Sequence, residues 1–106
     1  MGITEKNIQK LIYSLNDGDY DVRNSIGDIL VKTGKPTIPF LIESLKHPDP
    51  EIQVESARIL GRLGDEEAIE PLIASLKDEN VQLRKEAALS INKIIDKSKW
   101  LKIKIK

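Results

Sequence analysis

Apolar residues recur along the chain with helical spacing. Ile38, Leu41, Ile42 and Leu45 fall at i, i+3, i+4 and i+7, a single stripe with polar residues opposite. A second stripe runs through Ile52, Ser56, Ile59, Leu60 and Leu63, and Gly64 follows it where a helix C-cap belongs. Pro39 and Pro71 sit in first turns, where a missing N–H costs nothing. The two stripes of each pair are joined by short polar links at 17–21, 47–51 and 78–82, and links this short make antiparallel neighbours.

The pairs repeat. Ile8, Leu11, Ile12, Ser14 and Leu15 recur as Ile38, Leu41, Ile42, Ser44 and Leu45, and again as Ile69, Leu72, Ile73, Ser75 and Leu76. The same two steps carry Val22 to Ile52 to Leu83, Leu30 to Leu60 to Ile91, Thr33 to Leu63 to Ile94, and Gly34 to Gly64. A hairpin with one apolar stripe cannot bury itself, so such units stack. The pattern predicts an all-α solenoid of three helical hairpins, six helices in one domain over 1–96, with units at about 3–34, 35–64 and 65–96. Residues 97–106 break the pattern. The repeat step from Ile69 reaches Trp100 and that from Leu72 reaches Ile103, so this segment reads as a truncated further helix capping the open end of the stack, with Trp100 substantially buried. The alternation from Leu101 to Lys106 leaves a short strand or exposed arm as the alternative.

The residues Ile52-Gln53-Val54-Glu55-Ser56-Ala57-Arg58-Ile59-Leu60-Gly61-Arg62-Leu63-Gly64-Asp65, followed by Ala68-Ile69-Glu70-Pro71-Leu72, resemble the HEAT-like repeat of the phycobilisome-lyase type. Leu83-Arg84-Lys85-Glu86-Ala87-Ala88 and Val22-Arg23 open the same pattern in the other copies. The resemblance implies a right-handed solenoid whose second helices line a concave, partner-facing side. Four departures stand out: Gln53 where the pattern has Arg, Ile26-Gly27 where it has paired alanines, and Asn92 and Ile95 where glycines are usual.

Composition narrows the chemistry. With no Cys and one His among 106 residues, disulfides, thiolate metal sites and paired-His zinc sites are excluded. The string Asp17-Gly18-Asp19-Tyr20-Asp21 resembles the opening of a calcium loop, but Val22 stands where the loop needs Gly and Asp28 where it needs Glu. Equivalent links carry polar residues at the same alternate positions, which favours turn formation and helix capping. His47 aligns with Asp17 and Asp78 and reads as a turn residue. Gly61-Arg62-Leu63-Gly64 mimics a nucleic-acid-binding GxxG but closes a helix. Glu66, Glu67 and Glu70 sit at a helix start, where the dipole favours negative charge. No catalytic residue, cofactor site or metal site is expected.

Function then falls to the surface. Three columns of the second helices should face outward: Asn24, Val54 and Lys85; Asp28, Arg58 and Leu89; and Lys32, Arg62 and Lys93. The last is basic in every copy, although lysine and arginine near helix C-termini have a dipole reason of their own. Val54 and Leu89 are apolar where solvent is expected, which favours a protein partner. The expected function is a non-catalytic protein–protein interaction scaffold with Val54, Arg58, Arg62, Leu89 and Lys93 as anchors. Arg23 and Arg84 are expected to tie neighbouring units together. Two alternatives come from other classes: an accessory subunit or lyase-like protein of a tetrapyrrole system, implied by the resemblance, and nucleic-acid backbone binding, which is disfavoured. Self-association through the terminal repeats is a further outcome.

Charge refines the picture. The formal net charge is +0, with 17 basic and 17 acidic residues. Residues 93–106 nevertheless carry six lysines against Asp96, so an acidic body is joined to a basic end. No leader-like or membrane-length apolar window appears, so a cytoplasmic location without a membrane partner is expected.

Overall fold

The computed structural model describes residues 2–105. Among them are six α-helices and no strand: α1 (Glu5–Tyr13), α2 (Tyr20–Thr33), α3 (Ile38–Ser44), α4 (Pro50–Leu63), α5 (Ile69–Ser75) and α6 (Val81–Ile105). Short 3-10 turns at Lys35–Thr37 and Glu66–Ala68 lead into α3 and α5. The predicted all-α solenoid of three hairpins, α1–α2, α3–α4 and α5–α6, is the observed architecture.

Local chemistry sets the helix ends. Thr4 accepts a hydrogen bond from the Asn7 N–H, Asp19 from Val22 and Asp49 from Glu51, each satisfying a free donor of the first turn. Asn80 Oδ1 does the same for Gln82 and Leu83. At the other end Gly34 (φ 80°) and Gly64 (φ 70°) turn the chain out of α2 and α4 through a left-handed conformation that other residues rarely adopt.

The core runs between the two helical layers and includes Ile8, Ile12, Leu15, Leu30, Leu41, Ile52, Leu60, Leu72, Leu83 and Ile94. α4 is its centre. It packs on α3 of its own hairpin, on α2 before it and on α6 after it. Accordingly α4 buries Ile52, Ser56, Ala57, Ile59, Leu60 and Gly61, whereas α2 buries only Ile26, Gly27 and Leu30. The α4–α6 contact is closest at Gly61: a Cβ there would lie 2.7 Å from Ser90 Cβ and 2.9 Å from its Cα. Ser90 Oγ in turn donates to the Ala57 carbonyl at 2.7 Å, a buried bond across the two helices.

The C-terminal segment departs from expectation. α6 continues without a break to Ile105, neither starting a new helix nor forming a strand. The reason lies at Ile95, which occupies the position where Gly34 and Gly64 end the earlier second helices; with no residue suited to a left-handed turn, the helix propagates. The extension does not cover the open end of the stack. It runs beneath the C-termini of the earlier second helices, where Lys97 Nζ donates to the Leu63 carbonyl at 2.9 Å and Ser98 Oγ to Glu66 Oε1. Leu101 faces Val31, Ile38 and Leu63 across a cavity of about 670 Å³. Trp100, expected to be buried, is 57% exposed, and Lys104 lies over its ring. Lys106 lies outside the described residues.

The two glycines that face neighbouring repeats should respond differently to alanine. Gly61→Ala must displace the Ser90 backbone and is expected to cost about 1–3 kcal/mol through overpacking. Gly27→Ala meets mainly the end of the Arg62 side chain at 3.1 Å, which need give only a few tenths of an ångström and can keep its pair with Asp28, and is expected to be neutral or stabilising by up to about 1 kcal/mol. Urea unfolding of the two variants measures the contrast; equal effects would contradict it.

Candidate functional site

The second helices α2, α4 and α6 lie side by side and present one continuous face. Its chemistry begins with Arg58 in the middle of α4. The Arg58 Nε donates to Glu86 Oε1 on α6 at 2.7 Å, and Nη1 donates to Glu55 one turn back at 2.8 Å. Desolvation opposes the guanidinium charge, but Glu86 and Glu55 together outweigh it and hold its pKa above the ordinary value. One turn on, Arg62 reaches the other way and pairs with Asp28 on α2 at 2.7 Å. The two arginines of α4 thus bridge its neighbours on both sides.

The five expected anchors fare differently in this frame. Arg58 and Arg62 share the surface, and their charges are matched by Glu55, Glu86 and Asp28. Val54 is half-buried against the core rather than projecting from it, beside a cleft of about 340 Å³ formed with Arg58, Asn80 and Gln82. Leu89 stands exposed on α6, and Lys93 one turn further is exposed with no ion pair among the described residues. Between α2 and α4 a groove of about 340 Å³ opens over Gly27 and Ile59, flanked by Tyr20, Asn24, Arg58 and Arg62. Gly27 lies at its floor, where a Cβ would come within 3.1 Å of Arg62 Nη1 and 3.6 Å of Ile59 Cγ1.

Arg23 and Arg84 do not tie units together as expected. Each folds back on the link that precedes its own helix: Arg23 Nη1 donates to the Asp17 carbonyl at 2.6 Å, and Arg84 Nη1 to the Asp78 carbonyl at 2.7 Å. A guanidinium in the first turn of a second helix is well placed to satisfy loop carbonyls. Where Gln53 replaces the arginine, its side chain instead accepts a hydrogen bond from Asn80 of the next unit at 3.3 Å. Partners of Arg58 and Arg62 were therefore missed, although the signal was present: Glu55 and Glu86 share one repeat column, a turn from Arg58 in helical register.

The links carry turn chemistry. Asp17 Oδ1 accepts from the Asp19 N–H and Asp78 Oδ1 from the Asn80 N–H, both at 2.8 Å, and His47 Nδ1 takes the same role for the Asp49 N–H at 3.0 Å. His47 also packs against the Tyr13 ring. Asn16 of the first unit donates to Asp49 Oδ2 of the second at 2.9 Å. The Asn16 amide and the Glu51 N–H hold the Asp49 carboxyl below its ordinary pKa. Asp65 is lowered in the same direction, first by the Glu67 N–H and further by Lys35 and Lys97 against the opposing effect of burial. No group of three or more His, Cys, Asp or Glu side chains among the described residues is placed to hold a metal ion.

Three stacked hairpins whose second helices are cross-braced by ion pairs define an α-solenoid repeat protein. Residues 8–93 match the family of HEAT repeats, and the chain belongs to that family. Over 55 residues, 51% of the chain, it is 44% identical to the bilin biosynthesis protein MpeU of Synechococcus sp. (strain WH8020). The match spans 18% of that protein's length. No described helix is long and apolar enough to cross a membrane.

The Asp65 shift has a defined pH signature. A carboxyl whose pKa is lower in the folded than in the unfolded chain contributes stability above its ordinary pKa and loses it as pH falls through the folded value. Asp65→Asn keeps a capping oxygen but removes the charge that meets Lys35 at 3.2 Å. The variant is expected to be less stable by about 0.5–1 kcal/mol at neutral pH. The difference should vanish at pH values below the carboxylate range, as read from paired urea titrations. A gap that persists in acid would contradict the assignment.

Proposed function

We propose that the chain is a non-catalytic interaction module that receives a segment of another protein on the face of its second helices. The observation that supports this reading most is the α2–α4 groove flanked by Tyr20, Asn24, Arg58 and Arg62, together with exposed Leu89 and Lys93 on the neighbouring α6. Arg58 and Arg62 are held in fixed orientations by their carboxylate partners, so the groove walls are ordered before a partner arrives. Preordered walls lower the entropy cost of association. An apolar anchor at Leu89, one turn from Lys93, a cation with no ion pair among the described residues, suits a segment that pairs an apolar residue with an acidic one.

Because Arg58 and Arg62 also brace the stack, their replacement tests folding as well as binding. Leu89→Asp with Lys93→Glu avoids this. Affinity purification from the native cell with the parent chain should recover a partner that the double variant loses at least about tenfold, as expected for removal of a central anchor. Recovery of the same proteins in the same amounts by both would refute the reading.

A second reading draws on the similarity to the bilin biosynthesis protein: an accessory role in a tetrapyrrole system. It predicts pigment retained by the chain, or transferred to an acceptor, after incubation with a bilin. Absence of bound or transferred pigment would leave the interaction module alone.

A further inference from the structure

The repeat register shows which apolar columns lie uncovered at the two ends of the described stack. In the column Val22, Ile52 and Leu83 the exposures are 43%, 2% and 0%, so the two residues with a preceding hairpin are buried and the first is not. Ile29 is likewise exposed where Ile59 and Ser90 are buried. The opposite end mirrors this. Leu15, Leu45 and Leu76 are 0%, 4% and 37% exposed, and Ala88 lies open where Gly27 and Ala57 are covered. The front of the third hairpin and the back of the first are therefore two halves of the same kind of joint. The α6 extension leaves the front uncovered because it runs back beneath α4 and α2.

Polar groups follow the same rule. Asp19, Asp49 and Asn80 form one column, and each caps its own second helix with one side-chain oxygen. The remaining atom of the latter two reaches the preceding unit: Asp49 Oδ2 accepts from Asn16, and Asn80 Nδ2 donates to Gln53 Oε1. The second oxygen of Asp19 makes no hydrogen bond among the described residues. At the front of the third hairpin the counterparts of Asn16 and Gln53 are Lys77 and Arg84. Arg84 is turned back on the Asp78 carbonyl, so the stack continued in register sets the Lys77 ammonium against the Asp19 carboxylate.

We propose that copies of this chain associate head to tail, the α5–α6 front of one seating the α1–α2 back of the next. Ile29 then rests on Ala88 as Ile59 rests on Gly27, and Lys77 meets Asp19 as Asn16 meets Asp49. The joint is heterologous, so each copy keeps one free end of each kind and association is open-ended. The acidic link around Asp19, which resembles a metal loop in sequence, becomes half of a docking contact. Stacking in this register also prolongs the second-helix face across copies.

Sedimentation velocity of the full chain across about two decades of concentration should show a mass that climbs without a fixed end point. Ala88→Arg blocks the front and Ile29→Asp the back, both at exposed positions. Each variant alone should stay monomeric, and an equimolar mixture should form a one-to-one complex that grows no further. Lys77→Glu, which alters an exposed side chain with no ion pair among the described residues, should weaken association at least about tenfold by setting a like charge against Asp19. A chain that stays monomeric throughout would overturn the proposal. So would an Ile29→Asp variant that still dimerises alone, which would show a symmetric front-to-front contact instead.

Discussion

The close approach of α4 to α6 is the contact on which the stack depends. Helices normally pack 8–10 Å apart, and the distance is set by the side chains between them. At Gly61 there is none, so Ser90 reaches the Ala57 carbonyl and Arg58 reaches Glu86. One small residue therefore permits a buried hydrogen bond and a partly shielded ion pair, both stronger away from bulk water. Toward α2 the corresponding joint is looser: a groove opens over Gly27, and among the described residues one ion pair, Arg62 with Asp28, spans it. The molecule thus has a firm half, α3 to α6, and a lighter one, α1 and α2.

This asymmetry links fold to surface. The groove between α2 and α4 is walled by a helix, α4, that is fastened to α6 on its other side. The arginines that line the groove are the residues that fasten it, so surface chemistry and stacking are not separable on α4. They separate on α6, where Leu89 and Lys93 face outward and brace nothing. A repeat protein gains binding surface from shared register, and the same register leaves each terminal hairpin with uncovered apolar columns.

Much of this was legible in the sequence because repetition converts packing into columns. The stripe from Ile38 to Leu45 and the caps at Gly34 and Gly64 specified helices, turns and their order. Asp17 and Asp19 have the turn and cap roles expected of them, and the match to HEAT repeats agrees with the resemblance carried by residues 52–72. The errors came where a residue departed from the pattern. Ile95 stands in place of a glycine, and in the structure it removes the helix stop and leaves Trp100 exposed. Arg23 and Arg84 were assigned to neighbouring units because column arithmetic says nothing of side-chain direction; their guanidiniums turn back to the nearest free carbonyls. The pairing of Arg58 and Arg62 depends on how far adjacent helices are offset, a quantity that no single column contains.

Native-state hydrogen exchange tests the central claim most directly, because each amide reports the free energy of opening its own segment. With α4 clamped on α6, the amides of Leu60 and Gly61 and those of α6 from Leu83 to Ile94 should exchange slowest, near the global limit. Those of α1 and α2 should exchange faster, through partial opening of the first hairpin. Protection in α2 equal to that in α4 would contradict an account in which the Gly61–Ser90 contact holds the stack together.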